Sequence, residues 1–167
     1  MEDEEWWTIS NSVSQQLAFN PCRTKGKPRD GRVAMRTITY SGSAPSGSGE
    51  QLVLYRSVKS AQAAFRKLRA DQSRRPRRAT AKGGTGSGFG CVGKPSRVGD
   101  EALSVAGHFH KRGKREREPA ELGVVAHRGA ALFIYTDVGN GLAAGKKIVN
   151  QAKKMTKKAC DLPRVCG

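Results

Sequence analysis

The chain has 167 residues, with 31 Lys and Arg against 14 Asp and Glu, a net charge of +17. That is the size of one domain, and the charge favours polyanions over other basic molecules. No run approaches the ~20 apolar residues that a membrane-spanning helix needs. An apolar fraction of 37% with 20 glycines implies a lean core carrying long polar loops.

The start, Met1-Glu2-Asp3-Glu4-Glu5, is acidic where a signal peptide is basic and then apolar. Either a cytosolic location or an exported one with the leader missing ahead of Met1 is therefore expected, and the exported one is favoured. Residues 1–31 are expected to form an N-terminal helix and a basic loop packed on a single domain spanning 32–167. Ile9, Val13 and Leu17 recur at helical spacing, Pro21-Cys22 ends the helix, and Arg23–Gly31 reads as the loop. Val33–Tyr40 is β-branched and predicts a strand. After the Gly/Ser/Pro connector Ser41–Gly49, Glu50–Arg56 predicts a second strand, apolar on both faces and so central.

Ser57 caps a predicted helix in which Val58, Ala61, Ala64, Phe65 and Leu68 form one apolar stripe. It runs out into Arg74-Arg75-Pro76-Arg77-Arg78 and the glycine-rich segment Gly83–Gly90, which reads as a flexible loop. Glu101–Phe109 predicts a third strand, followed by the charged tip Lys111–Glu118. Glu121–His127 and Ala131–Thr136 predict two more, joined by a two-residue turn at Arg128-Gly129. Ala143–Cys160 predicts a final helix with Ile148, Ala152, Met155 and Ala159 inward and its lysines outward. The fold class expected is α+β: a mostly antiparallel sheet with helices packed on one face and two disulfides.

The four cysteines, Cys22, Cys91, Cys160 and Cys166, are even in number and lack C-x-x-C spacing. That pattern argues against a zinc site or a redox dithiol and for two disulfides in an oxidising compartment. Three connectivities are open. Cys22–Cys91 with Cys160–Cys166 is favoured, because the last two lie close together at a helix exit.

Two phosphate-loop patterns coincide at Gly88–Lys94, and both fail. Thr80–Ser87 is not the hydrophobic strand that should precede them, and Pro95 stands where a Walker motif needs a hydroxyl. His108 and His110 share one side of a strand, and with His127 could hold a metal, yet no Asp, Glu or Cys lies near in sequence. No metal and no cofactor is assigned. No nucleophile elbow is present, and the acids within predicted elements, Glu50, Asp71, Asp100, Glu101, Glu121, Asp137 and Asp161, form no recognisable acid–base motif.

The positive functional signal is three basic clusters. They are Arg74, Arg75, Arg77 and Arg78 with Lys82; Lys111, Arg112, Lys114 and Arg115; and Lys146, Lys147, Lys153, Lys154, Lys157 and Lys158. No aromatic residues interleave with the arginines and no helix-turn-helix pattern is present. Charge-driven, salt-sensitive binding is therefore expected, not base stacking or sequence readout.

Several segments carry a family likeness. They are Arg36-Thr37-Ile38-Thr39-Tyr40, Glu50-Gln51-Leu52-Val53-Leu54-Tyr55, the Ala-rich helix Ser57–Leu68, and Val98-Gly99-Asp100-Glu101-Ala102 with Cys91 just ahead of it. Val124-Val125 and Arg128-Gly129 add to them. Across roughly residues 33 to 160 the chain resembles the extracellular sensor domain of actinobacterial serine/threonine kinases of the PknH type. The resemblance implies an extracytoplasmic α+β domain with a central groove and two disulfides, found also in secreted proteins and lipoproteins and binding ligands without catalysis. This sequence departs from the type in its basicity and its long Arg74–Gly90 loop, and it contains no kinase segment.

The expected function is a non-enzymatic, exported, sensor-like domain whose cationic surface binds an anionic envelope polymer or lipid headgroup. The alternatives are a charge-driven nucleic-acid-binding protein and, third, a small secreted hydrolase or toxin.

Overall fold

The computed structural model describes residues 6–18, 30–42, 46–73, 87–111, 114–139, 141–163 and 165–166. Cys22, Arg74, Arg75, Arg77, Arg78, Lys82 and Arg112 lie outside the described residues.

A single sheet is built from β1 (Trp6–Ser10), β2 (Arg32–Ser41), β3 (Gly47–Tyr55), β4 (Ser87–Ser96), β5 (Glu101–Lys111), β6 (Lys114–Arg115), β7 (Glu121–Arg128) and β8 (Ala131–Val138), in which successive side chains point to opposite faces. The helices are α1 (Val58–Ser73) and α2 (Gly141–Lys158). The strand order is β1-β2-β3-β8-β7-β5-β4, with β6 pairing β5, and every pairing is antiparallel. An α+β domain on a mostly antiparallel sheet is thus the observed class.

The helices do not share one face, contrary to expectation. Val53, Val125, Leu132 and Ile134 pack with Ala61, Ala64, Phe65 and Leu68 of α1. Their chain neighbours Leu52, Val124, Ala126 and Phe133 pack with Ile148 and Ala152 of α2. Alternating residues point to opposite sides of a strand, so α1 covers one face and α2 the other. The cause is legible in β3, β7 and β8, which are apolar on both sides and need cover on both. β3 lies inside the sheet, as its two apolar faces predict.

The expected N-terminal helix is also corrected. Trp6–Ser10 is an edge strand in register with β2, from Trp6 opposite Ser41 to Ser10 opposite Thr37. The helical spacing of Ile9, Val13 and Leu17 loses to the β-prone run Trp-Trp-Thr-Ile, which finds ladder partners on β2. Leu17 still reaches the α1-side core. The segment that carries it is held by Gln51, whose Oε1 accepts from the Ala18 amide at 2.6 Å and whose Nε2 donates to the Gln16 carbonyl at 3.1 Å.

Ser87–Ser96, whose first four residues fall in the segment read as a flexible loop, is a strand paired with β5 without a break from Ser87 opposite Lys111 to Ser96 opposite Ala102. Its glycines hide a strand signal that the neighbouring ladder supplies. Arg128 pairs with Ala131, so the β7–β8 turn is Gly129-Ala130, one residue later than expected. Ser57 does cap α1, its Oγ accepting from the Ser60 amide at 3.1 Å. In α2 the buried position is Thr156, whose hydroxyl donates to the Ala152 carbonyl at 3.0 Å, while Met155 is exposed.

One disulfide is described, not the two expected. It joins Cys160 to Cys166, with Cα atoms 5.0 Å apart, and closes the turn that follows α2. This seats Val165 in the α2-side core, where its carbonyl accepts from the Ala130 amide at 2.9 Å. Cys91 is buried in the α1-side core, and its expected partner Cys22 lies outside the described residues.

Candidate functional site

α2 lies over β7 and β8, which leaves a groove along each of its sides. The two differ in chemistry because different strands floor them.

The first groove opens over β3 and the sheet edge formed by β1 and β2, with a volume of ≈ 370 Å³. One line of cross-strand neighbours, Trp7–Tyr40–Ser48–Asp137, runs along it. The Trp7 and Tyr40 rings lie 4.8 Å apart between centroids, tilted by 49°. Glu50 stands opposite Tyr135 in the next line, and Lys147 and Gln151 reach in from α2. Burial, aided by the charge of Glu50, raises the Tyr135 phenol well above its ordinary range, so it stays an O–H donor.

The second groove, ≈ 250 Å³, opens over β4 and β5. Its lining is largely apolar, with Val92, Leu122 and Val124 on the strands and Ile148 and Val149 on α2, and Lys94 and Arg115 also line it, both exposed. His108 lines it too, buried, with Nδ1 3.1 Å from the Glu116 carbonyl oxygen.

The structure divides the predicted basic clusters. Lys111, Lys114 and Arg115 are exposed at the β5–β6 tip, and of the three Arg115 lines the second groove. The six α2 lysines are all exposed, but the 3.6-residue period splits them between two shoulders. Lys146, Lys153 and Lys157 share a shoulder with Val149, which faces the second groove; Lys147, Lys154 and Lys158 fall on the other, where Lys147 lines the first. Sequence reasoning did not find Lys94 as a groove residue, nor the Trp7–Tyr40 pair. Lys94 was visible only as the lysine of a failed phosphate motif, and its strand context confirms that failure: β4 runs through Gly88–Lys94, and no helix opens after it.

The three histidines do not converge. His108 faces the α2 side with the second groove, while His127 faces the α1 side, its ring 6.3 Å from that of Phe65. The sheet itself separates them, and among the described residues no group of three His, Cys, Asp or Glu could hold a metal. Of the acids, Glu50 and Asp137 meet in the first groove. Asp100 and Glu101 have different partners: Asp100 pairs with Arg128 at 2.7 Å and accepts from the Gly129 amide at 2.8 Å, while Glu101 stands opposite His127. Burial lifts Asp100, but those two hydrogen bonds and the Arg128 charge outweigh it and hold its carboxyl below the usual range.

The fold has a known counterpart. The crystal structure of the extracellular domain of PknH from Mycobacterium tuberculosis superposes with a TM-score of 0.56 over 93% of this chain and 85% of that one. Sequence identity over the match is 10%, so the likeness is one of fold. No family model and no curated protein matches the sequence. Among the described residues no helix is long and apolar enough to cross a membrane.

Proposed function

We propose that this protein is a non-enzymatic, extracytoplasmic, sensor-like binding domain that takes an anionic lipid in its second groove, alkyl carbons on the floor and headgroup at the margin. The observation that carries the reading is the pairing of Lys94 and Arg115 with an apolar cavity bordered by Val92, Leu122 and Val149. A concave apolar surface with a few convergent charges is the ordinary build of a ligand site. A purely electrostatic polyanion site would have no use for the floor. Lys146 and Lys153 on the adjoining shoulder and Lys111 and Lys114 at the tip extend the positive field that draws the headgroup in. Arg74, Arg75, Arg77, Arg78, Lys82 and Arg112, outside the described residues, contribute to the chain's net charge of +17.

Export is supported by the Cys160–Cys166 bridge, which suits an oxidising compartment, and by the fold shared with an extracellular domain. A second bridge between Cys22 and Cys91 belongs to this proposal.

Co-sedimentation with vesicles tests it. Phosphatidylglycerol vesicles should pellet the protein and phosphatidylcholine vesicles should not. Lys94→Ala/Arg115→Ala should weaken the interaction by about tenfold or more, because both charges line the groove. Equal weakening by Lys154→Ala/Lys158→Ala, on the far shoulder, would instead mean diffuse attraction. Duplex DNA that binds as tightly as the vesicles, with no effect of the groove variants, would favour a nucleic-acid partner.

A further inference from the structure

We propose that the first groove is a separate binding site for a neutral sugar residue of a glycan, with Trp7 as its stacking platform. Trp7 is 66% exposed although it is among the most apolar side chains in the protein, and it is braced against Tyr40 at 4.8 Å. A large, rigid aromatic face held open beside a polar cavity offers apolar contact on one side and hydrogen bonds on the other. A pyranose ring presents that combination: C–H groups on its face and hydroxyls round its rim.

The other lining groups select among ligand charges. Glu50 and Asp137 only accept hydrogen bonds when ionised, Lys147 only donates, and Gln151 does both. An ammonium ligand would need acceptors alone and would be opposed by Lys147; an anion would need donors alone and would be opposed by the two carboxylates. A sugar hydroxyl donates and accepts at once, so it can use the whole set. The fixed O–H of Tyr135, beside Glu50, adds a donor at the floor. Trp7, Tyr40, Ser48 and Asp137 stand in one line across four strands, so the rigid sheet sets the spacing between platform and acceptor.

The test uses tryptophan emission, since Trp6 and Trp7 are the two tryptophans and Trp6→Phe leaves Trp7 as sole reporter. The full chain is titrated with maltohexaose, cellohexaose, chitohexaose and mannohexaose at low and high salt. The expected result is a saturable change with at least one of them that persists at high salt. Gln151→Ala and Asp137→Asn, each with an unchanged melting temperature, should weaken it by about tenfold or more. Lys94→Ala/Arg115→Ala should leave it intact, which separates this site from the lipid groove. The proposal is overturned if none of the four sugars produces a saturable change, or if the change vanishes with salt. It is equally overturned if both groove variants bind as the parent does, or if tetramethylammonium chloride binds where the sugars do not.

Discussion

His127 stands directly opposite Glu101 in the register between β7 and β5, and among the described residues the buried ring nitrogens of His127 and the buried Oε2 of Glu101 find no hydrogen-bond partner. Unmade hydrogen bonds of this kind cost about 1–3 kcal/mol each, whereas an apolar side chain of similar size carries no such cost. His127→Leu is therefore expected to keep or raise stability in urea unfolding, although His127 is 1% exposed. A loss of 3 kcal/mol or so, typical of truncation in a packed core, would show that the imidazole does more than fill space beside Phe65.

Asp30 makes acid stability depend on pH. It holds the Arg32 guanidinium at 2.6 Å and accepts from the Tyr55 hydroxyl at 3.3 Å. Burial lifts its carboxyl, but the hydrogen bond and charge of Arg32 outweigh that and leave it below the usual carboxylate range. A folded value below the unfolded one, near ~3.9, makes this contribution complete above that pH and progressively lost as the pH falls through the folded value. Asp30→Asn should flatten the fall in stability below about pH 4 and cost about 2 kcal/mol at neutral pH, because Arg32 is left nearly buried and unpaired. Urea melts across the acid range measure both effects.

Gly129 adopts φ 53°, and a Cβ there would overlap the Val165 carbonyl that Ala130 uses as its acceptor. Both strain and overlap oppose any side chain. Gly129→Ala is expected to destabilise by about 2 kcal/mol or more and to release the C-terminal turn, seen as faster hydrogen exchange at the Ala130 amide.

Cys160→Ser/Cys166→Ser should cost roughly 2 kcal/mol, the loop-closure value for a short bridge. Thermal melts of the double variant, and of the parent with and without reductant, read that cost. The reduced parent should lose at least as much as the double variant.

Much of the scaffold was legible because its signals are local. The continuous apolar run in Glu50–Arg56, the stripe Val58–Leu68 under the Ser57 cap, and the strands either side of Gly129 are each written within ten residues or so. What failed was decided at a distance. Trp6–Ser10 becomes a strand because β2 offers an open edge, and Ser87–Gly90 because β5 offers a ladder; neither fact is present in the segment itself. The opposite placement of the helices follows from the two apolar faces of β3, β7 and β8, and so could have been deduced. The grooves could not. Trp7 and Asp137 are 130 positions apart in sequence, and Lys94 meets Val149 only through the β4–β5–β7 order. The lysine ladder of α2 was visible as a charge, but its division between two shoulders gains meaning only once a groove lies below each.

The most direct measurement of the central claim is a heteronuclear NMR titration with a short-chain phosphatidylglycerol below its micelle concentration. Saturable shifts should gather on the backbone amides and methyls of Val92, Leu122, Val124 and Val149, together with the amides of Lys94 and Arg115, and Val149→Asp should abolish them. Shifts confined to the lysines of α2 and the β5–β6 tip, with the floor unmoved, would contradict the account.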